Sequence, residues 1–418
     1  MSRRYDQVVV HADLEHFAAP VAMGVLRCQR GRSDIFSFAY ERAWLERPEA
    51  FAFDPDLALV EGPQYPPPAR ANFGIFLDSS PDRWGRMLMQ RRENVRARDE
   101  ARPPRTLTEW DFLLGVHDET RMGALRFQAP DGGDFIDSDP TYSAPPLTSL
   151  RELQAASLQY ETHADDEDHP GYRQWLAQLF APGTSLGGAR PKASVRDEHG
   201  HLCIAKFPSR DDRRDIGAWE LVAHALARRA GIDVPPVRAI RLPDSPHTTF
   251  LARRFDRTAE GRRKAFVSAM TLTQRIDGEA GASYLEIVDL LQSSGANTRR
   301  NCRELFRRVL FNILIQNTDD HLRNHGFFID RNGITLSPAY DINPAPDQHA
   351  LSLAINEVDT ACDVMVAMDA CGDYGLSRRE ADLELAAVRT AIGHWREEAQ
   401  RLGIARGEIE QMRPAFQV

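Results

Sequence analysis

The sequence predicts an α+β fold, with a small β-rich part near the N-terminus and a mostly helical C-terminal part. Three observations carry this. Short apolar, strand-like runs cluster before residue 40 and again around Lys206. Helical spacing and capping signals dominate after about residue 295. The 418 residues leave room for two or three domains, at roughly 150 residues each. The pattern divides as 1–148, a module of strands plus helices; 149–295, a lobe with a Gly-rich loop and further strands; and 296–418, a helical lobe.

Each element has a local reason. Val21 to Leu26 and Ile35 to Tyr40 read as strands, the second with alternating apolar residues. Ser80 then Pro81 predicts a helix start, with Ser as N-cap and Pro at the first helical position. Trp84, Met87 and Leu88 form that helix's apolar face. Arg83, Arg86, Arg91 and Arg92 line the other, as a solvated or a partner-binding surface. Residues 126–148 hold Pro130-Asp131-Gly132-Gly133 and Pro145-Pro146 and read as a connector. Ser149-Leu150-Arg151-Glu152 predicts a capping box. Glu161 to Asp168 reads as an acidic loop, and a short helix near Tyr172–Phe180 stops at Pro182-Gly183. Strands surround Lys206. A helix carrying Glu220, Val222 and Leu226 stops at Gly231, and Phe250 to Phe255 reads as a strand. Leu305, Phe306, Val309, Leu310, Ile313 and Leu314 recur with helical spacing. Ser377-Arg378-Arg379-Glu380 is a further capping box, opening a helix through about Leu402.

Composition excludes several classes. Hydrophobic residues make up 42% and charged residues 27%, which rules out a mostly disordered, collagenous or coiled-coil chain. Lys and Arg number 52 against 61 Asp and Glu, a net charge of −9. An acidic chain is a poor stand-alone nucleic-acid binder, because phosphate neutralisation needs clustered cations. No apolar run reaches the roughly 18 residues of a membrane span, and no secretory h-region is evident. The five cysteines, Cys28, Cys203, Cys302, Cys362 and Cys371, form no C-x-x-C pair. A reducing, cytoplasmic setting is expected, without disulfides or zinc.

Five features carry chemistry, and their order matters more than any one alone. Ser185-Leu186-Gly187-Gly188-Ala189-Arg190-Pro191-Lys192 is a Gly-rich stretch whose amides could approach an anion. It is not a Walker A loop. Lys206 sits inside an apolar strand, where phosphate oxygens could partner it; the alternative is an edge strand with the lysine in water. Arg253-Arg254-Phe255-Asp256-Arg257 could form a hinge whose backbone meets an adenine, or a plain strand end. Asp319 to Asn324 has the D-x-x-x-x-N interval of a protein-kinase catalytic loop, in which the Asp handles a hydroxyl proton and the Asn ligates magnesium. A hairpin follows, with its turn at Asp330-Arg331-Asn332-Gly333, and it ends in Ser337-Pro338-Ala339-Tyr340-Asp341. Asp341 stands where the kinase plan puts a magnesium-binding Asp. Ile342-Asn343 follows instead of Phe-Gly, so this is not an ordinary eukaryotic-type kinase. All five lie in kinase order, and ATP and Mg2+ follow as ligands, both carboxylates being hard oxygen donors.

With these residues the chain resembles the HipA serine/threonine kinases, the toxin halves of bacterial type II toxin–antitoxin pairs. The matches are Ser185-x-Gly-Gly-Ala-x-x-Lys192, Lys206-Phe-Pro, Arg254-Phe-Asp-Arg257, Thr318-Asp-x-His-x-x-Asn324 and Pro338-x-Tyr-Asp341. Gly123-Ala124-Leu125 and the N-terminal strands look like the family's small N-terminal module. The resemblance implies a protein-kinase-like fold. By it, Asp319 looks like the catalytic base, and Asn324 and Asp341 like the magnesium ligands. Lys206 would hold ATP phosphates, and Gly187, Gly188, Ala189, Arg190, Pro191 and Lys192 would line them. Arg253, Arg254 and Phe255 would meet the adenine through backbone groups. Asp256 and His321 look like ribose or nucleotide contacts, and Tyr340 falls in the same nucleotide-binding set. Ser185 matches the family's self-phosphorylated serine. Its modification would expel the Gly-rich loop, because a phosphoserine adds close to two negative charges beside ATP phosphates.

The same resemblance implies a protein substrate in translation, such as an aminoacyl-tRNA synthetase. It also implies a helix-turn-helix antitoxin that contacts operator DNA, and no membrane partner. Asp320, beside Asp319, is expected to face solvent. Glu220 is a candidate partner for Lys206. Two other readings stand beside this one. A small-molecule kinase of the aminoglycoside or choline type also uses D-x-x-x-x-N, although such sites usually carry H-G-D where this chain has Asn-Thr-Asp. A non-catalytic, antitoxin-binding scaffold would need none of the polar residues found here.

Overall fold

The structure, a computed structural model, describes residues 5–31, 34–164, 166, 169–180, 188 and 190–417. The chain forms two compact units. One comprises residues 1–210 with 256–267, the other 211–255 with 268–418.

The first unit opens on an antiparallel sheet of order β3-β2-β1-β4, built from β1 (Gln7–Ala12), β2 (Val21–Gln29), β3 (Ile35–Tyr40) and β4 (Leu125–Gln128). Alternation drives it: Val8, Val10 and Ala12 of β1 are fully buried, while the residues between them are half exposed. β4 takes the first residues of the expected connector, because Val9 to Ala12 offer it a free edge. A second core lies among the helices Arg83–Asp99, Leu150–Thr162 and Tyr172–Phe180, where Trp84, Leu88, Tyr160, Tyr172, Leu176 and Leu179 pack together.

Two expected helix starts are corrected. Ser80 hydroxyl donates to Phe76 O at 2.9 Å, so it belongs to the preceding helical turn. Asp82 is the N-cap of Arg83–Asp99 instead, its Oδ1 accepting from Gly85 N at 2.7 Å. Ser149 closes a 3-10 turn in helical backbone and makes no side-chain cap. The capping box at Ser377 and Glu380 does form, with Ser377 Oγ accepting from Glu380 N. Its helix ends at Ile392, and a second helix, Trp395–Arg401, follows Gly393. The acidic stretch starts inside Leu150–Thr162; the stop at Pro182-Gly183 lies outside the described residues.

The first unit also holds the antiparallel pair β5 (Lys192–Arg196) and β6 (Leu202–Lys206). The second unit contains the antiparallel pair β7 (Val237–Ile240) and β8 (Thr249–Arg253), and the helix Ile216–Arg229. Asp215 caps that helix at Ala218 N and ties it to Thr248. The helix ends at Arg229, and Gly231 follows with φ +78°, a backbone glycine adopts without strain. β9 (Phe266–Ser268) runs into a one-turn helix, Ala269–Leu272, capped by Ser268.

At the centre of the second unit runs Thr298–Leu314. Its six expected apolar positions are all buried, at 1% exposure or less. Tyr284–Ser294 and Arg378–Ile392 pack against it. Arg303 and Arg307 fasten the latter through the buried Glu384. After the helix come the hairpin strands β10 (Gly326–Asp330) and β11 (Gly333–Leu336), paired antiparallel as expected.

Candidate active site

The loop of interest begins where the Thr298–Leu314 helix stops. Gln316 takes φ +50°. Its N–H donates to Ile313 O at 3.2 Å, and Asn317 N donates to Asn312 O at 2.8 Å. These two bonds are a Schellman closure, made here without the usual glycine. A left-handed Gln is costly, on the order of 1 kcal/mol or more, so the turn persists because its surroundings hold it. The next residues are tied down at once. Thr318 O accepts from Ser352 N and Oγ, and Thr318 Oγ1 donates to Gln348.

Asp319 and Asp320 then part company. Asp319 is exposed, and no described residue donates to its carboxylate. Asp320 has a side chain 5% exposed. Its Oδ2 accepts from Tyr284 OH at 2.6 Å and from Asn312 Nδ2 at 2.8 Å, and lies 2.7 Å from His325 Nε2. Burial pushes the Asp320 carboxyl up, but the His325 imidazole and the Tyr284 hydroxyl outweigh it, so the net shift is downward. Tyr284 is pushed well above the usual phenol range by its burial and by Asp320. The expectation that Asp320 faces solvent is therefore corrected: it is the buried post to which the loop is fixed.

Asn324 closes a 3-10 turn, Leu322–Asn324, and is buried. Its Nδ2 donates to Asp319 O at 3.2 Å, which leaves Oδ1 as the oxygen available to a cation. His321 is half-buried, and its Nδ1 has no partner among the described residues. Past the hairpin, Asp341 adopts φ +57°, a left-handed position that Asp tolerates better than most residues. Asn343 Nδ2 donates to Asp341 Oδ1 at 3.1 Å. A carboxylate and an amide oxygen are the hard donors that Mg2+ prefers, so this pair fits such an ion. Tyr340 OH donates to Arg323 O at 2.6 Å, and its ring lies 5.3 Å from that of Phe255. Arg253 N donates to Pro236 O, and Arg254 is buried at 3% exposure.

The first unit holds the other expected residues. Lys192 opens β5 and stands opposite Lys206 at the end of β6. Two facing lysines repel, and Asp82 relieves this: its Oδ2 lies 2.8 Å from Lys192 Nζ, both side chains 3% exposed or less. Lys192 is thus a buried ion-pair partner, a role its motif did not reveal. Lys206 is half-buried. Gly188 takes φ +109°, and its carbonyl accepts from Trp84 N at 3.4 Å. Arg190 is half-buried, and Pro191 O accepts from Phe207 N. Asp256 is fully buried, with Oδ2 accepting from Gly123 N at 2.9 Å and from Arg257 Nη1 at 2.6 Å. Asp256 thus clamps the Gly123 turn, a contact its motif did not reveal. Ser185, Gly187 and Ala189 lie outside the described residues.

Residues 184–412 match a protein family described as HipA-like C-terminal domain. A candidate kinase of Haemophilus influenzae is 26% identical over 189 residues, covering 40% of this chain and 54% of that protein. A candidate kinase of Sinorhizobium fredii is 25% identical over 242 residues, covering 55% of this chain and 54% of the relative. The chain thus spans about half the length of the curated relatives it matches. Among solved structures, Shewanella oneidensis HipA, crystallised with HipB and its operator DNA, superposes with a TM-score of 0.63 at 15% identity. That match covers 98% of this chain and 94% of the other, and it bears out the expected fold class.

Proposed function

The chain belongs to the HipA-like C-terminal domain family, and from that premise we propose that it is an ATP- and Mg2+-dependent serine/threonine protein kinase, the toxin half of a toxin–antitoxin pair. One observation supports this above all. A loop pinned at the buried Asp320 holds Asp319 exposed, buries Asn324 with one amide oxygen to spare, and is followed by a hairpin leading to Asp341.

ATP with Mg2+ would supply the transferable phosphoryl group and neutralise its charge. Asp319 orients the acceptor hydroxyl and takes its proton. Asn324 Oδ1 and the Asp341 carboxylate hold the cation. Lys206 meets phosphate oxygens, and the backbone about Arg253 to Phe255 meets the base. Phosphoryl transfer needs little covalent help from a protein, so positioning of this kind does most of the work. Ser185 is the proposed site of self-phosphorylation, and a translation component such as an aminoacyl-tRNA synthetase the proposed target. The likeness to a HipA solved with HipB and operator DNA supports a helix-turn-helix antitoxin as partner, with DNA contacted mainly through it.

The test is incubation with radiolabelled ATP and Mg2+ beside Asp319→Asn and Ser185→Ala, with the modified residue read by mass spectrometry. Label at Ser185 that is lost in both variants is the expected result. Dephosphorylated wild type that binds ATP yet labels neither itself nor any protein overturns the proposal in favour of a small-molecule kinase or a scaffold.

A further inference from the structure

Asn312 is a buried polar residue at the apolar C-terminal end of the Thr298–Leu314 helix. Phe311 and Ile313 flank it, and it is only 5% exposed. A buried amide costs stability unless both its ends are satisfied. Here both are. Its Nδ2 donates to Asp320 Oδ2, and its Oδ1 accepts from Asn317 Nδ2 at 3.1 Å. Asn317, 2% exposed, in turn accepts on Oδ1 from the main-chain N of Asn343 at 3.1 Å. Asn343 Nδ2 ends the series on Asp341 Oδ1.

We infer that Asn312, Asn317 and Asn343 form a positioning relay that sets the Asp319–Asn324 loop against Asp341, and so fixes the two magnesium donors relative to one another; the inference rests on the kinase reading above. The series is directional. Turning over the amide of Asn312 or Asn317 would set nitrogen against nitrogen or oxygen against oxygen, so each amide has one allowed orientation. It is also anchored. The Schellman closure joins the main chains of Asn312 and Asn317, the same two residues whose side chains bond. One end holds Asp320, covalently next to Asp319, and the other holds Asp341 in its left-handed backbone. Groups that orient ligands in this way set metal affinity without touching the metal.

Two variants separate this role from plain stability. Asn317→Ala breaks the middle of the relay. Asn343→Ala spares the main-chain N–H to Asn317 and removes only the bond to Asp341. ATP affinity is measured by calorimetry on the full chain, with and without Mg2+, beside the thermal unfolding midpoint. In both variants the tightening of ATP by Mg2+ should shrink, by ~10-fold, with Mg2+-free affinity unchanged. Retention of the full Mg2+ effect in either variant overturns the relay. So does a parallel loss of both affinities with a lowered midpoint, the mark of a merely structural role. A wild type whose ATP binding ignores Mg2+ overturns the kinase reading itself, and the relay with it.

Discussion

Asp319 and Asp320 are adjacent in the chain and opposite in environment: one carboxylate is exposed and has no donor among the described residues, and the other is buried under three. In the proposed kinase, the two jobs of a catalytic loop would be divided between them. An acidic group that meets an incoming hydroxyl must be accessible. A group that holds the loop must be buried and bonded. The turn at Thr318 and Asp319, held by Ser352 and Gln348, leaves Asp319 exposed and Asp320 buried, so a single dipeptide supplies both.

Asp319→Asn should abolish phosphoryl transfer while leaving the fold intact. The side chain is exposed and makes no bond to a described residue that Asn would lose. Expected rate loss is on the order of 100-fold or more, the contribution of a positioned acid–base group. Label incorporation and the unfolding midpoint, taken on the same preparation, check this. Transfer at the wild-type rate would remove Asp319 from its assigned role.

Asp320→Ala should do the reverse: it should destabilise the second unit strongly. Removing this carboxylate strands the Tyr284 hydroxyl, the Asn312 amide and His325 together in a dry environment. Breaking a buried charged network by deleting one partner costs about 3–5 kcal/mol. Asp319→Ala beside it should cost under ~0.5 kcal/mol, as exposed sites do. Urea denaturation of the pair measures the contrast, and equal midpoints would refute it.

These residues also mark what could be read from the sequence. Asp319, Asn324 and Asp341 stand out as candidates because their spacing is local, set by one loop and one hairpin. The apolar stripe of Thr298–Leu314 was equally visible, because burial follows the 3.6-residue period. Asp320 was misread, because its partner Tyr284 lies 36 residues away and no periodicity links them. Asn312 carries one signal, an amide between Phe311 and Ile313, but what satisfies it depends on a turn made without glycine. Asp82 was hidden for another reason. Ser80-Pro81 carries the stronger start signal, and only the fold shows Ser80 already bonded to Phe76. Asp256 and Lys192 sit inside the candidate motifs, yet their contacts with Gly123 and Asp82 are tertiary and leave no local signal.

Lys192 and Asp82 should prove coupled. Each single change, Lys192→Met or Asp82→Asn, leaves or strains a charge in a buried place, and should cost about 3–5 kcal/mol. The double variant Lys192→Met with Asp82→Asn leaves no buried charge and should cost much less than the sum. Asp82 also caps its helix at Gly85 N, which Asn can do as well, so the cycle isolates the ion pair. Additive costs would mean that the two residues act independently.

Asp54 supplies a pH dependence whose sign can be worked out. It is 1% exposed, and its oxygens accept from Asp56 N at 2.9 Å and Ile75 N at 2.8 Å. Burial pushes its carboxyl up to about 6, and the two amides only partly offset this. Because the folded value lies above the unfolded one, the folded chain binds the extra proton between them. Stability therefore falls as pH rises from about 4 to about 6, by roughly 3 kcal/mol at the upper end. Asp54→Asn removes this titration but loses one of the two acceptors, so the variant should be the weaker protein at pH 4. Its disadvantage should shrink by pH 7, where wild type carries the buried charge. Other carboxylates titrate in both proteins and cancel in the difference. Unfolding midpoints of wild type and variant across this range decide it: a gap that stays constant with pH means that Asp54 titrates as an ordinary carboxylate.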